Sequence, residues 1–258
     1  MKAMILAAGL GTRLRPLTGD RPKALVEVAG RTLLELTLTR LRAFGVREVI
    51  VNVHHFADKV LEYLASNGNF GMRIEVSRED ELLDTGGGLK KAAWFFLEEG
   101  IEKAEPFLLH NVDVLSTIDF GKMLQFHTER HALATLAVQN RITLRPLLFD
   151  EKGLLRGRAP ERENNAEIAS PAPGCASLAF AGVHVISPQI FERMPEEGAF
   201  SIIDAYVRLA AQGEKIVAFG ADDAYWRDLG RPEHILQAAR DLEDGTCSEA
   251  RRGSAMPS

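Results

Sequence analysis

The chain has 258 residues, 46% hydrophobic and 26% charged, a globular balance with enough length to bury a large core. A net charge of -5 and a pI of about 5.9 exclude a broad basic field, and with it a nucleic-acid partner. No run approaches the roughly 18 apolar residues of a membrane span, and the first apolar run is too short for a secretory signal. The two cysteines, Cys175 and Cys247, fit reduced thiols, so the expected location is the cytoplasm with no membrane partner.

Ala3 to Ala8 is continuously apolar and reads as a buried strand of a parallel sheet. Residues 9–31 carry too many Gly, Pro and charged residues for regular structure and form a long loop, a common place for function. Thr32 then opens a helix whose Leu33, Leu34, Leu38, Leu41 and Phe44 share a face, and Gly45 ends it. A strand follows at 48–53, a helix at 57–66 and a strand at 72–77. DTGGGLKKAAWFFL places a glycine cluster directly before an apolar helix, and 106–114 reads as a strand with a polar tip. This alternation predicts βαβ units and a parallel sheet with helices on both faces. Ligands of such sheets bind beyond the carboxyl ends of the strands, so the first loop, the TGGG turn and the tip at Asn111-Val112-Asp113 are expected to meet there.

The second half is less regular. A helix is expected over 119–131, a strand over 132–138, and two strands around the turn Asp150–Gly153. The polar, Pro-rich stretch 157–174 reads as a mobile surface loop, either a flap or a linker. SLAFAGVHVIS is a strand, and Ser187-Pro188 gives an N-cap and an N1 proline to a short helix. A helix at 202–212, a strand KIVAF, a short strand in YWRDLG and a helix from Arg231 to Glu243 complete a single domain over 1–243. Residues 244–258 have no apolar face and are expected to be disordered. There is no internal repeat and no heptad pattern.

LAAGLGTR carries the chemistry. Glycines let a backbone approach a ligand closely, and successive N–H groups make an anion nest that Thr12 and the Arg13 fork reinforce. A polyphosphate suits it. The dinucleotide fingerprint is excluded, because Leu14 replaces its third glycine and Pro16 and Pro22 oppose a helix start; the Walker pattern is absent. A dehydrogenase is thereby disfavoured.

The longer string, LAAG-x-G-T-R-L-x-P-L-T followed by R-P-K-A-L, resembles the signature of the sugar-1-phosphate nucleotidylyltransferases. Gly9, Gly11, Thr12, Arg13, Pro22 and Lys23 match it, and the resemblance continues through DTGGG, N-V-D, FAGVHVIS and WRDLG, roughly from Met1 to Leu242. It implies an α/β, doubly wound (Rossmann-like) domain with a mixed, mainly parallel central sheet flanked by helices. It also implies transfer of a nucleotidyl group from an NTP to a sugar 1-phosphate, with release of pyrophosphate and a requirement for Mg2+. The nucleophile is an anionic phosphate oxygen, so catalysis reduces to positioning and charge neutralisation.

By this resemblance Gly9, Gly11, Thr12 and Arg13 hold the leaving phosphates, and Lys23 contacts the attacking phosphate or the α-phosphate. Asp113 and Asp228 are the metal ligands, although an aspartate at such a place also serves as a turn cap. Val112 stands where many relatives have glycine and puts a side chain near the ligand. Leu6, Ala7 and Ala8 present backbone groups to base and ribose, and Gly86 and Gly87 lie against the base, the bland reading being a plain helix entry. Gly182 faces the sugar, with Asn111, Arg141 and Arg145 as further candidates. His54 and His55 serve strand-end packing, and Trp226 anchors the Asp228 turn.

Length and the DTGGG element look most like the N-acetylmuramate 1-phosphate uridylyltransferases, which favours UTP and that acceptor. Mannose- or heptose-1-phosphate guanylyltransferases are the alternative. A silent nucleotide-sugar-sensing subunit on the same fold would show decay at Arg13, Lys23, Asp113 or Asp228, and all four are intact. Oligomeric state is not legible.

Overall fold

The computed structural model describes residues 1–159 and 174–247. Nearly all of the stretch expected to be a flap or linker, and residues 248–258 of the expected tail, lie outside the described residues. In chain order the strands and helices are β1 (Lys2–Leu6), β2 (Glu27–Val28), β3 (Arg31–Thr32), α1 (Leu33–Ala43), β4 (Glu48–Val53), α2 (Ala57–Ser66), β5 (Arg73–Arg78), α3 (Asp84–Lys91), α4 (Ala93–Phe96) and β6 (Phe107–Asn111). They continue with β7 (Val114–Ser116), α5 (Phe120–Arg130), β8 (Ala134–Gln139), β9 (Leu147–Asp150), β10 (Leu155–Arg158), β11 (Cys175–Ile186), α6 (Ile202–Ala211), β12 (Ile216–Gly220), β13 (Trp226–Asp228) and α7 (Pro232–Glu243). The fold is α/β, a mixed sheet with parallel central strands flanked by helices. No described helix is long and apolar enough to cross a membrane.

Two compact units divide the described chain. The first comprises Met1–Leu82, His110–Asp119 and the residues from Ala224; the second comprises Leu83–Leu109 and Phe120–Asp223. In the first, β1, β4 and β5 run parallel, with Ala3 opposite Val49 and Val49 opposite Ile74. Ala3, Met4, Ile5, Val49, Ile50 and Val51 are all fully buried, which is why 3–5 and 49–51 read as apolar runs. Thr32 caps α1 by accepting from the Glu35 N–H at 3.0 Å, and Leu33, Leu34, Leu38 and Leu41 are buried. The strand expected over 106–114 does not continue through its tip. It breaks at Val112-Asp113, where the Val112 N–H donates to the Leu6 carbonyl at 3.1 Å. Beyond the break β7 pairs antiparallel with β13, Trp226 opposite Ser116 and Asp228 opposite Val114.

The second unit supplies the antiparallel part of the expected mixed sheet. β11 runs antiparallel to both β8 and β9, β9 and β10 form the expected hairpin, and β12 is parallel to β8. Ser187 does not cap the segment after it. Its Oγ donates to the Ala132 carbonyl at 2.8 Å, and Pro188–Arg193 winds as a 3-10 helix. Past α7 the chain stays tied down to Cys247, which is buried and whose N–H donates to the Asp241 carbonyl at 2.8 Å.

Two buried histidines give stability a pH dependence. His127 holds Thr135 Oγ1 and Ser187 Oγ through its two ring nitrogens, each at 2.9 Å, and burial pushes its pKa down to about 4. Burial, then the nearby Arg40 charge, pushes His110 down to about 3. Both are neutral in the folded chain, whereas the unfolded chain takes up protons near the ordinary value of 6.5. Between about pH 6.5 and 4 the unfolded state therefore binds more protons, and stability falls on acidification; above that window these groups add no slope. Urea midpoints measured from pH 7.5 to 4.5 should fall across it, and the His127→Gln variant should fall less steeply than the parent.

Candidate active site

The loop after β1 is folded back on itself in the first unit. Gly11 sits at φ +62°, and a methyl group there would meet Thr18 Cγ2 at 3.0 Å and Lys23 Cβ at 3.1 Å, so both conformation and space demand glycine. The buried Thr18 locks the fold by donating from Oγ1 to the Gly11 carbonyl at 2.9 Å, and Leu14, 1% exposed, anchors it in the core. Thr12–Leu14 forms one 3-10 turn whose first bonds are donated by Leu14 and Arg15, to Gly11 and Thr12 carbonyls. The N–H groups of Gly11, Thr12 and Arg13 stand ahead of those bonds, at the open end of the turn. Gly9, Leu10, Gly11, Thr12, Arg13 and Lys23, with Leu82 and Gly230, line a cleft of about 270 Å³.

Two cationic side chains, Arg13 and Lys23, line this cleft. Lys23 Nζ is ion-paired with Asp113 Oδ2, both side chains being largely buried. A methyl placed on Gly230 would lie 2.9 Å from Asp228 Oδ1, 3.1 Å from Arg13 Nη2 and 3.5 Å from Asp113 Oδ2. The two aspartates and the arginine, far apart in sequence, thus surround one small space that only a residue without Cβ leaves open. The β7–β13 pairing makes this happen: it sets Asp228 opposite Val114, next to Asp113, and the Leu229 N–H donates to the Asp113 carbonyl at 2.7 Å. Asp228 Oδ1 also accepts from the Gly230 N–H at 2.8 Å, and its carbonyl contacts His234 Nδ1 of α7 at 2.7 Å. The turn-capping role weighed for aspartate is therefore real at Asp228 and coexists with its place in the cluster.

This donor set suits a hard divalent cation. Two carboxylate oxygens face a common space, and such ions are commonly held by one or two carboxylates with substrate phosphates and water completing the shell. Among the described residues no group of three or more His, Cys, Asp and Glu side chains could form a cage. The Val112 side chain is buried, 2% exposed.

Supports that sequence reasoning missed surround the cluster. Arg227 Nη2 pairs with Asp241 Oδ2 at 2.7 Å, Tyr225 donates to the same oxygen at 2.5 Å, and Gln237 donates to Oδ1 at 2.8 Å. The Tyr225 hydrogen bond, first of these, holds the Asp241 carboxyl below its ordinary range, while burial and then Asp241 push Tyr225 up to about 12. α7 is thereby bolted to the strand that carries Asp228. At the carboxyl end of β1, where the loop begins, the Ala7 N–H donates to Asn52 Oδ1 at 2.7 Å, and Asn52 Nδ2 donates to Glu79 Oε1 at 2.7 Å. Nothing local marks Asn52, Glu79 or Asp241 in the sequence except a polar residue inside or beside an apolar pattern.

The first unit brings together the loop and the 111–113 tip. The remaining candidates are distributed. Ala7 and Ala8 are buried at the strand end, and Asn111 ends β6 with its carbonyl contacting His110 Nδ1 at 2.8 Å. Gly86, Gly87, Arg141, Arg145 and Gly182 belong to the second unit. Gly182, at φ +75°, sits where the β11–β8 register shifts, so it makes a bulge, and Arg141 Nη2 donates to the neighbouring Phe180 carbonyl at 2.7 Å. Arg145 is exposed.

Gly86 and Gly87 do not precede the helix as expected; α3 starts at Asp84 and includes them. Both N–H groups donate to the Phe200 carbonyl, at 2.9 and 3.3 Å, which replaces a side-chain cap. A methyl on Gly86 would lie 2.3 Å from Phe200 Cε2, and one on Gly87 would lie 2.2 Å from the Gly198 carbonyl oxygen. Close backbone approach to 198–200 is what these glycines serve here. Gly87→Ala should cost about 3 kcal/mol by urea denaturation, through forced separation of the two segments. Gly220→Ala, with nothing within 4 Å, is the control and should change little.

A family model described as nucleotidyl transferase matches residues 2–144. An N-acetylmuramate alpha-1-phosphate uridylyltransferase of Caulobacter vibrioides is 36% identical over 250 residues, covering 94% of this chain and 97% of the relative. A mannose-1-phosphate guanylyltransferase of Mycobacterium tuberculosis is 30% identical, over 97% of this chain and 67% of the relative. Among solved structures, HddC from Yersinia pseudotuberculosis complexed with GMP-PN superposes with a TM-score of 0.74 at 23% identity, over 93% of this chain and 99% of that one. UDP-glucose pyrophosphorylase complexed with UDP-glucose gives 0.75 at 17%, over 94% and 98%. These two structures share the fold.

Proposed function

The chain belongs to the sugar-1-phosphate nucleotidylyltransferases of the nucleotidyl transferase family, and we propose that its donor is UTP, its acceptor N-acetylmuramate 1-phosphate, and its cofactor Mg2+. In the reaction an oxygen of the sugar phosphate attacks the α-phosphorus of the triphosphate. The new P–O bond forms as the bond to the β-phosphate bridging oxygen breaks, and pyrophosphate leaves. The convergence of Arg13, Asp113 and Asp228 on the space at Gly230 carries the reading.

Backbone N–H groups of Gly11, Thr12 and Arg13 bind the leaving phosphates, and the Arg13 guanidinium takes up the charge that builds on them. Lys23 stands beside this grip and offers its ammonium to the attacking phosphate or the α-phosphate, countering repulsion between two anions. No side-chain base is required, because the nucleophile is already ionised. Asp113 and Asp228 would hold the divalent cation, whose charge offsets that of the phosphates. Leu6, Ala7 and Ala8, where β1 passes into the loop, would present backbone groups to base and ribose.

Support for the substrates comes from the Caulobacter uridylyltransferase, matched over almost its whole length at 36% identity. The mannose-1-phosphate guanylyltransferase, at 30%, supports the second reading. The test is pyrophosphate release from UTP, CTP, GTP, ATP and dTTP against N-acetylmuramate, mannose and glucose 1-phosphates, with and without Mg2+. Fastest turnover with UTP and N-acetylmuramate 1-phosphate is expected. Preference for GTP with mannose 1-phosphate would replace this assignment with the second, and full turnover in EDTA would remove the cation.

A further inference from the structure

The Leu6–Ala7 peptide is the junction between β1 and the loop, and the protein engages both of its polar groups. The Leu6 carbonyl accepts from the Val112 N–H at 3.1 Å, and the Ala7 N–H donates to Asn52 Oδ1 at 2.7 Å. Asn52 is held in turn, its Nδ2 donating to Glu79 Oε1 at 2.7 Å. Asn52 and Glu79 are each 2% exposed. Asn52 lies on β4 opposite Leu6 and Ser77, so its amide sits among three strand ends. Glu79 is fixed just beyond β5, its N–H donating to the Val53 carbonyl at 2.7 Å and its carbonyl contacting His54 Nδ1 at 2.9 Å.

Burying an amide and a carboxylate costs free energy that an apolar pair at these positions would not incur. What the polar pair adds is direction. A side-chain acceptor 2.7 Å from the Ala7 nitrogen restrains the rotation of that peptide, and the bond to Glu79 removes the freedom of the Asn52 amide to flip. Two residues later Gly9 can leave in almost any direction, so the path of Ala7 and Ala8 is set by this clamp and not by the loop. The phosphate grip is built separately, from Gly11 onward, by Thr18 and Leu14.

We propose that Asn52 and Glu79 are positioning residues for the nucleoside end of the donor. They orient the Ala7–Ala8 backbone that meets base and ribose, and leave the binding of the triphosphate end unaffected. The inference rests on the reading that the nucleoside lies along Leu6–Ala8. Because the two ends of the donor are held by separate devices, they can be tested separately.

The test compares binding of UTP and of inorganic tripolyphosphate to the full chain by calorimetry in Mg2+, with thermal melts alongside. Asn52→Leu should weaken UTP at least tenfold and tripolyphosphate less than threefold. Asn52→Asp keeps the acceptor toward Ala7 but sets it against the Glu79 carboxylate, and should weaken UTP similarly. Adding Glu79→Gln to Asn52→Asp restores a donor opposite the new carboxylate and the original count of one negative charge. UTP affinity should return to within threefold of the parent. If Asn52→Leu does not fold, the Asp variant and its rescue carry the test. Equal weakening of both ligands, or a double variant that regains the parent melting temperature but not UTP affinity, overturns the proposal. A parent protein that binds UTP no tighter than tripolyphosphate would overturn the underlying donor reading itself; a preference for UTP that survives in Asn52→Leu overturns only the clamp.

Discussion

Asp113→Ala and Asp228→Ala are each expected to lower turnover by on the order of 10³-fold or more, with the fold retained. The two carboxylates face one space at Gly230, so on the proposed role removing either would leave the cation with one of its two carboxylates and the phosphates with uncompensated charge. The main-chain ties survive, because the Leu229 N–H bonds to the Asp113 carbonyl and β7–β13 pairing uses backbone alone. Asp228→Ala additionally frees the Gly230 N–H, a loss of about 1 kcal/mol. Pyrophosphate release at saturating substrates, read beside a thermal melt, separates the two effects. Ordinary activity in either purified variant with Mg2+ present would strip that residue of its role.

Lys23→Ala should reduce the rate by roughly 10²–10³-fold, lowering kcat and kcat/KM together, because its charge matters most as the two phosphates close. It also leaves the largely buried Asp113 without its cationic partner, which should cost roughly 1–2 kcal/mol of stability. Lys23→Arg should not restore full activity. The guanidinium is larger than the ammonium and planar, and Lys23 Cβ already packs beside Gly11. A variant with Lys23→Ala that unfolds but, when folded, turns over at the parental rate would reduce the lysine to a structural counter-ion.

Much of this molecule is written in short-range patterns. The strand at 48–53, the helix at 57–66 and the hairpin around Asp150–Gly153 fall where periodicity and turn residues place them. The G-x-G-T-R loop with its later P-K announces the family before any contact is known. Less legible were the positions where a local pattern served a distant partner. DTGGG looks like a loop before a helix, yet its glycines lie within α3, admitted by the close approach of 198–200. The strand toward Val114 looks continuous, yet it breaks because Val112 bonds to Leu6 and β7 finds β13. Asn52, Glu79 and Asp241 were overlooked because a single buried polar residue carries no periodic signal.

The sequence by itself determined the residue types at the site, the glycine turn after β1 and the family to which the chain belongs. These follow from local backbone freedom, side-chain charge and the order of motifs along the chain. Only the tertiary structure decided that Asp113 and Asp228 face a common space, that Lys23 meets the first of them, and that Asn52 and Glu79 clamp the peptide at Ala7. Those relations join residues separated by tens to more than a hundred positions. They arise from strand pairing and close packing, and no window of sequence contains them.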